Sequence, residues 1–439
     1  MKSSRDLAKE VIERLRSQGH EALLVGGCVR DLLLGRDAKD YDVATEAHPE
    51  EIAALFPRSG LVGAQFGVVL VRDDDAVVEV ATFRSDLEYR DGRRPEGVHF
   101  ERNPREDALR RDFTINGLFL EPGSGEVLDY VGGREDLRNR VIRAIGDPEV
   151  RFREDHLRLL RAVRFAARLG FTIEPRTMEA MRELAPSILR VAPERVRDEL
   201  IRILTEGGAR YGFELLDASG LLEQVLPEIA AMKGVEQPPE FHPEGDVWTH
   251  TLMMLESLDH PTPALAIGVL LHDVGKPSTF RVAERIRFDG HVEAGVRIGR
   301  QILNRLRFST DDCEQILALI DNHMKFADVN RMRESTLKRF LRLPKFEEHL
   351  ELHRLDCLNS NGRLETWQML RKRLEETPPE VLKPAPLISG RDLIEAGYRP
   401  GPKFRRALAA VEDAQLEGRI QSREDAMELA RKIFAKDAG

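Results

Sequence analysis

In the first third of the chain, segments with hydrophobic residues at helical spacing alternate with short β-rich runs. Apolar residues recur at helical spacing over residues 5–18, which predicts an amphipathic helix. Short β-rich runs bounded by turn residues predict strands at 22–25, 39–44, 66–72, 76–82 and 123–130. Between them, the pattern predicts helices at 29–34, 49–56 and 113–120. This mixture indicates an α+β fold with a small mixed β-sheet at the N-terminus.

From about residue 150 onward the pattern is helical. The most regular piece is residues 151–171 (RFREDHLRLLRAVRFAARLGF), read as one amphipathic helix. Linkers rich in proline are expected at 233–246 and 378–386. We therefore predict four segments: an α+β segment at 1–145 and helical segments at 146–235, 240–375 and 385–439.

Composition narrows the class of protein. The chain has 439 residues, 41% hydrophobic and 33% charged, which is typical of a soluble multidomain protein. It contains no apolar run long enough to span a membrane, and its three cysteines show neither a disulfide nor a zinc pattern, so we expect a cytoplasmic location. The net charge of −9 weakly disfavours a nucleic-acid partner, but the arginine-rich stretches 134–168 and 331–373 are candidate faces for a phosphate backbone.

The first chemical motif is GGCVRDLLLG followed by KDYDVAT. Gly26 and Gly27 allow backbone N–H groups to approach a phosphate closely, and Arg30 adds positive charge. Asp40 and Asp42, two residues apart on a predicted strand, would project from the same face. Paired carboxylates beside a phosphate cradle suit Mg²⁺-dependent phosphoryl transfer. The structural alternative is a glycine turn followed by a solvated aspartate pair.

Further candidates follow along the N-terminal segment. Glu79 is either a third carboxylate of this site or an ordinary residue of an edge strand. Residues 86–104 form a long polar loop of the kind that is usually functional or disordered. The motif RRDFTING then places charged and amide groups around the helix predicted at 113–120, namely Arg110, Arg111, Asp112 and Asn116.

Within residues 151–171, Asp155 and Arg158 would be helical neighbours at i and i+3. A carboxylate beside a guanidinium can read cytosine and adenine, because both bases present an amino donor next to a ring acceptor. The alternative is a surface ion pair between Glu154 and Arg158. Arg161 and either Arg164 or Arg168 continue the same stripe.

A second cluster of candidate ligands lies in the third segment. His250, His272, Asp273 and Asp356 follow an H…HD…D pattern that suits a transition metal or Mg²⁺. His291 and His323 are candidates for a second metal or for phosphate binding. A lone buried histidine is usually structural, but an adjacent His-Asp pair with outer partners is a more specific signal.

Taken together, GGCVRDLLLG, KDYDVAT, RRDFTING, REDHLRLLRAVRFAARLGF and ERVRDEL resemble, in this order, the class II CCA-adding enzyme and bacterial poly(A) polymerase family. The resemblance covers about residues 20–230, and residues 245–360 resemble an HD-type metal phosphohydrolase domain. It implies a nucleotidyltransferase head, a helical neck and body for nucleotide selection and RNA binding, an HD domain and a helical C-terminal segment.

The resemblance also implies roles for the motifs. Asp40 and Asp42 would hold two Mg²⁺ ions, and Arg111 and Asp112 would lie near the ribose and triphosphate of the incoming nucleotide. The EDxxR motif, matched by Glu154, Asp155 and Arg158, would select the base. The nucleotide-binding set is Gly26, Gly27, Arg30, Arg111, Asp112, Asn116, Asp155, Arg158, Arg161 and Arg164.

The function that the resemblance implies is addition of C, C and A to a tRNA 3′ end from CTP and ATP. An A-adding enzyme and a poly(A) polymerase share these motifs and remain alternatives, although a loop at 86–101 disfavours a purely CC-adding enzyme. Gly117 departs from the family's usual alanine, with little expected effect. Two hypotheses of other classes are an HD phosphohydrolase with an RNA-binding N-terminal half and a non-enzymatic RNA-binding module.

Overall fold

A computed structural model describes residues 2–38, 40–61, 67–86, 97–240 and 242–436. The chain divides into two compact units. The first comprises Met1–Ala231 with Asn304–Phe308, and the second comprises Met232–Leu303 with Ser309–Gly439. The four segments proposed above remain a prediction within this division.

The first unit contains a mixed sheet of seven described strands, in the order β3-β4-β5-β2-β1-β8-β9. Its strands are β1 (Ala22–Val25), β2 (Asp42–Thr45), β3 (Ser59–Leu61), β4 (Val68–Asp73), β5 (Ala76–Thr82), β8 (Leu118–Leu120) and β9 (Val127–Asp129). Neighbours pair antiparallel except β2 and β5, which are parallel. Smaller pairs are β6 (Arg84–Asp86) with β7 (Val98–Phe100) and β10 (Val141–Ile142) with β11 (Thr172–Ile173). The predicted mixed sheet is therefore confirmed.

Along the sequence, helices alternate with the strands of this sheet and then form most of the rest of the unit. They are α1 (Ser4–Ser17), α2 (Gly27–Leu33), α3 (Pro49–Leu55), α4 (Pro104–Leu109), α5 (Gly133–Asn139), α6 (Pro148–Glu154), α7 (Arg158–Leu169), α8 (Pro175–Leu184), α9 (Pro193–Thr205), α10 (Ala209–Ala218), α11 (Leu221–Val225) and α12 (Pro227–Ala230). Helix α7 is the most buried of the long ones, with ten of its twelve residues inside. It is the helix against which α9 and α10 pack.

The second unit is almost entirely helical. Its helices are α13 (Val247–Glu256), α14 (Pro263–Leu271), α15 (Lys276–Thr279), α16 (His291–Arg305), α17 (Thr310–Asn322), α18 (Glu334–Leu341), α19 (Phe346–Leu358), α20 (Glu365–Glu376), α21 (Pro379–Leu382), α22 (Gly390–Glu395), α23 (Pro402–Leu416) and α24 (Arg423–Lys436). A short hairpin joins β12 (Arg281–Val282) to β13 (Ile286–Arg287). In neither unit is a described helix both long and apolar enough to cross a membrane.

Two predicted helices are corrected. Residues 113–120 form a 3₁₀ turn (Thr114–Asn116) and strand β8, because this uniformly buried apolar run pairs with β1. Residues 151–171 are broken between α6 and α7, where Asp155 has extended backbone (φ −141°, ψ 105°). The Asp155 carboxylate accepts a hydrogen bond from the Leu157 N–H at 3.1 Å, a local bond that competes with helix continuation.

The strand predicted at 39–44 is also corrected, since β2 begins at Asp42. Asp40 lies in the bend before it. Three predictions fall partly outside the described residues: that strand at Lys39, the strand at 66–72 at Phe66, and the polar loop at residues 87–96.

Candidate functional site

The glycine motif brings backbone, cation and carboxylate together. Gly26 precedes α2 with φ +75°, a conformation that L side chains rarely adopt. A Cβ atom there would lie 3.2 Å from Nη1 of Arg111 and 4.0 Å from Oδ2 of Asp42. Glycine therefore leaves room for the guanidinium and the carboxylate to approach the chain at the start of α2.

Three carboxylates beside this motif are close enough for their charges to interact. Asp42 is paired in register with Glu79 of the parallel neighbour β5. Burial, the Glu79 charge and the Asp40 charge raise the pKa of Asp42 to about 6, against the lowering effect of Arg111. Like charges held together in this way favour a bound cation, and hard oxygen donors are the ligands that Mg²⁺ prefers. The donor set therefore fits the metal that the sequence predicts.

Asp107, which the sequence analysis missed, positions the two arginines of the RRDFTING motif. Its carboxylate accepts hydrogen bonds from Arg110 and Arg111, with the Nη2 atoms 2.6 Å and 2.8 Å away. Burial opposes ionisation of Asp107, but Arg111 and Arg110 outweigh it and hold its pKa below the ordinary value. The i,i+3 and i,i+4 spacing in EDALRR is the signal that would have found it.

A hydrogen-bond network joins four predicted nucleotide-binding residues, of which all but Arg161 are buried. Nη1 of Arg30 donates to Oδ1 of Asn116 at 2.8 Å, and Nδ2 of Asn116 donates to Oδ1 of Asp112 at 3.1 Å. Arg161 donates to Oδ2 of Asp112 through Nε at 2.8 Å, with Nη2 2.7 Å away. Although burial opposes it, Arg161 and Asn116 lower the pKa of Asp112 to about 2.

Arg30 is an internal residue. It is 2% exposed, and its Nε donates to Asp31 at 2.8 Å. Its guanidinium thus faces Asp31 and Asn116, whereas the sequence analysis assigned it to phosphate binding. Arg30 is linked to the site by its hydrogen bond to Asn116, which in turn donates to Asp112.

Asp155 and Arg158 do not form the helical pair predicted from their spacing. Nη1 of Arg158 donates to Glu154 at 2.6 Å, which is the ion pair weighed as the alternative. Nη1 and Nη2 also donate to the carbonyls of Arg151 and Arg110. The helix break turns the Asp155 carboxylate towards Arg195, 3.2 Å away.

Arg164, farther along α7, is likewise internal. Its Nε donates to Glu199 at 2.6 Å, and both side chains are about 5% exposed. Its guanidinium lies 4.2 Å from the ring centroid of Phe165. Arg164 therefore anchors α9 to α7, whereas Arg161 of the same helix bonds Asp112 directly.

The second unit holds a cluster of imidazoles around one aspartate. His272, His291 and His323 each place Nδ1 within 2.9 Å of the carbonyl three residues earlier in the chain. Their protons therefore lie on Nδ1, and each Nε2 is left as an acceptor. These Nε2 atoms lie 3.1, 3.9 and 3.8 Å from the Asp273 carboxylate.

Acceptors facing acceptors at such distances form a group that could hold a cation. Nε2 of His272 is buried and makes no hydrogen bond to any described residue. Two ligand groups share Asp273: one with His250 and His272, the other with His291 and His323. Imidazole nitrogen with carboxylate oxygen suits a divalent transition metal.

His250 closes the cluster on the side of Asp356. Its Nε2 lies 3.2 Å from Oδ1 of Asp356. Burial lowers the pKa of His250, but Asp356 and Glu244 outweigh it and raise the pKa to about 9. The surrounding negative charge therefore favours a cation at this position.

Comparison with protein families finds three matching segments of the chain. Residues 22–143 match the model of the poly A polymerase head domain, residues 170–233 the probable RNA and SrmB-binding site of polymerase A, and residues 246–356 the HD domain. The CCA-adding enzyme of Leuconostoc mesenteroides is 34% identical over 98% of this chain and 96% of its own length. That of Levilactobacillus brevis is 32% identical over 97% of each chain.

The chain belongs to the CCA-adding enzyme family.

Structure supports the same assignment. The crystal structure of the Bacillus stearothermophilus CCA-adding enzyme in complex with CTP aligns over the full length of both chains, with a TM-score of 0.77 and 27% identity. The predicted family and fold are therefore confirmed. As a CCA-adding enzyme the chain is a nucleotidyltransferase, which excludes the hypothesis of a non-enzymatic RNA-binding module. The family implies use of a divalent metal, and the imidazole and carboxylate groups around Asp273 could hold such an ion.

Proposed function

We propose that this CCA-adding enzyme extends the tRNA 3′ end with C, C and A, taking CTP and ATP as substrates. The observation that carries the proposal is the meeting of Asp42 with Glu79 and Arg111 beside the glycine turn. Carboxylates beside a phosphate cradle are the arrangement that nucleotidyl transfer requires. The likeness to relatives along the whole chain supports the same reaction.

Asp40 and Asp42 are the proposed ligands of two Mg²⁺ ions. Bound there, the ions would activate the RNA 3′-hydroxyl and neutralise the pyrophosphate leaving group. The backbone N–H groups of Gly26 and Gly27 and the guanidinium of Arg111 would hold the triphosphate. Glu79 adds negative charge beside Asp42, which favours a bound cation, and is the candidate third carboxylate.

Asp112 acts in this proposal as a positioning residue. Its two oxygens accept hydrogen bonds from the Phe113 N–H, Asn116 and Arg161, which occupy its lone pairs. A direct contact with the ribose would have to displace one of them. We therefore assign Asp112 to holding Arg161 and Asn116 beside the nucleotide.

Asp155 and Arg158 remain the proposed base-selecting residues. Nη1 of Arg158 donates to Glu154 and to one carbonyl, and Nη2 donates to a second carbonyl. The other edge of the guanidinium consists of Nε and the remaining Nη2 hydrogen, and neither bonds to a described residue. Two adjacent donors on that edge match the ring acceptors of cytosine, and one of them matches N1 of adenine. Asp155 would accept from the exocyclic amino group.

A second activity is proposed for the HD domain: metal-dependent hydrolysis of phosphate ends or cyclic phosphates of nucleotides. A cavity of about 940 Å³ opens over His291, His323 and Asp356. Cations line it, as an anionic substrate requires: Lys276, Arg285, Arg287 and Arg363. His250, His272, Asp273 and Asp356 would hold one divalent metal, and His291 and His323 with Asp273 a second.

Paired variants test the two activities separately. Asp42→Ala is expected to abolish CMP and AMP incorporation into tRNA, whereas Asp37→Ala, an exposed aspartate of the same segment, retains it. His272→Ala is expected to abolish hydrolysis of 2′,3′-cyclic AMP and leave incorporation intact. Near wild-type incorporation by Asp42→Ala would refute the first assignment, and metal-independent or undetectable hydrolysis by the wild type would refute the second.

A further inference from the structure

The four histidines of the HD cluster are not oriented in the same way. His272, His291 and His323 each use Nδ1 to bond the carbonyl of the third residue before them, at 2.7–2.9 Å. His250 has a carboxylate in place of that carbonyl. Oε1 of Glu244 lies 2.7 Å from its Nδ1.

The same oxygen also reaches a second imidazole. Nδ1 of His242 lies 2.8 Å from Oε1 of Glu244, and the rings of His242 and His250 are in edge contact with centroids 5.0 Å apart. The Glu244 side chain is 5% exposed, so water competes little for it. His242 itself lines the cavity over the metal cluster.

Such close approaches determine which nitrogen carries the proton. A carboxylate oxygen at 2.7–2.8 Å repels a bare nitrogen lone pair but binds an N–H group strongly. Both imidazoles therefore carry their proton on Nδ1. Nε2 of His250 then faces Asp356, 3.2 Å from its carboxylate, and is the nitrogen at which a bound metal would take the place of a proton.

We infer that Glu244 is a positioning residue of the HD metal site: it fixes His250 in the tautomer that binds metal through Nε2, and it orients His242 on the wall of the cavity. The inference rests on the proposed metal site. Carboxylates that hold metal-binding histidines in this way typically contribute 10- to 100-fold to metal affinity. Glu244 lies in the segment before α13 that the sequence analysis treated only as a linker.

Titration of the full chain with Co²⁺ tests this inference, because the visible absorption of Co²⁺ reports nitrogen ligands and so distinguishes the HD site from the all-oxygen site of the head. Glu244→Ala is expected to weaken the His272-dependent Co²⁺ signal by about 10- to 100-fold. Glu244→Gln keeps an oxygen that can accept from both Nδ1 atoms, so it should lose less. His242→Ala should bind Co²⁺ as the wild type does, and so should Glu240→Ala, an exposed acidic residue of the same segment.

The outcomes separate the inference from the site on which it rests. Wild-type Co²⁺ affinity in Glu244→Ala, with unchanged thermal unfolding, would overturn the role of Glu244. An equal loss in Glu244→Gln and Glu244→Ala would overturn the hydrogen-bond argument. If the wild type itself shows no Co²⁺ signal that His272→Ala removes, the proposed metal site fails.

Discussion

Asp42 and Glu79 face each other across the one parallel pairing of the N-terminal sheet among the described strands, that of β2 with β5. Because both are carboxylates and Asp42 is largely buried, the charged form of Asp42 is disfavoured and its pKa rises to about 6. Folding stability is therefore lost as pH rises from the ordinary aspartate pKa of 3.8 to about 6, and the charged pair that results suits a cation. A bound metal relieves this repulsion.

This pairing predicts a pH dependence for Mg²⁺ use. As pH falls from 7.5 to 5.5, a proton competes with the metal for Asp42, so the half-saturating Mg²⁺ concentration for incorporation should rise about fourfold. Glu79→Gln removes one cause of the raised pKa and should shift this change to lower pH. Steady-state incorporation measured across Mg²⁺ concentrations at each pH checks both. A half-saturation that does not vary with pH would contradict the assignment of Asp42.

Substitution of Asn116 is expected to lower the free energy of unfolding. Asn116→Ala removes the acceptor of the buried Arg30 guanidinium and a donor to Asp112. Leaving such a buried cation short of a partner costs about 1–3 kcal/mol. Urea unfolding should show this loss, and Asn139→Ala, an exposed asparagine at the end of α5, should not. Equal stability of the two variants would mean that water replaces the amide.

The local sequence pattern predicts much of the secondary structure, but it does not predict which residues from distant segments contact each other. The amphipathic helices and most strands follow from period and turn residues. The candidate metal ligands of the HD domain follow from residue type and order, and their role stays a prediction. Whether Glu79 belongs to the site could not be decided from the sequence. The answer depends on the register of β2 against β5, which is set by packing between segments far apart in the chain.

Other differences have equally physical causes. Asp155 sits in a strongly helical pattern, yet its side chain bonds the Leu157 N–H and ends the helix there. Arg30 is charged and follows a glycine turn, which favoured a phosphate contact, but it is buried, where Asp31 neutralises its charge and Asn116 accepts a further hydrogen bond. Glu244 was not singled out because its importance comes from two histidines that the fold brings to one oxygen.

Substitution of Arg158 is expected to reduce selectivity among nucleotides. Arg158→Ala removes both donors of its unengaged edge and should reduce discrimination of CTP against UTP by about 10- to 100-fold, the range expected for a two-bond contact to a base. Arg153→Ala is a matched control, since its side chain is 58% exposed and its guanidinium pairs only with Glu149 among the described residues, at 3.6 Å. Single-turnover incorporation of each nucleotide measures the ratio. Unchanged selectivity in Arg158→Ala would count against the base-selecting role.

The buried imidazole of His349 should make the folding stability of the second unit sensitive to acid. It is 1% exposed, and its nitrogens bond to no described residue. Burial and then the charge of Lys325 lower its pKa to about 4. The unfolded chain therefore binds a proton between pH 6.5 and pH 4 where the folded chain does not, so stability falls as pH falls through this window.

The loss attributable to His349 should reach up to about 3 kcal/mol near pH 4. Thermal unfolding between pH 7.5 and pH 4.5 should show a smaller decline for His349→Leu than for the wild type. His260→Asn, at an exposed histidine, should follow the wild type. Parallel curves for His349→Leu and the wild type would contradict a neutral buried imidazole.

The most direct test of the central claim supplies the purified protein with tRNAs that lack one, two or all three terminal nucleotides, with CTP and ATP given singly and together. The account predicts that every tRNA is completed to CCA and that growth then stops, with CTP needed for the two shorter substrates. Growth only on the tRNA ending in CC would indicate an A-adding enzyme, and long A tails on any RNA would indicate a poly(A) polymerase; either result would contradict the account.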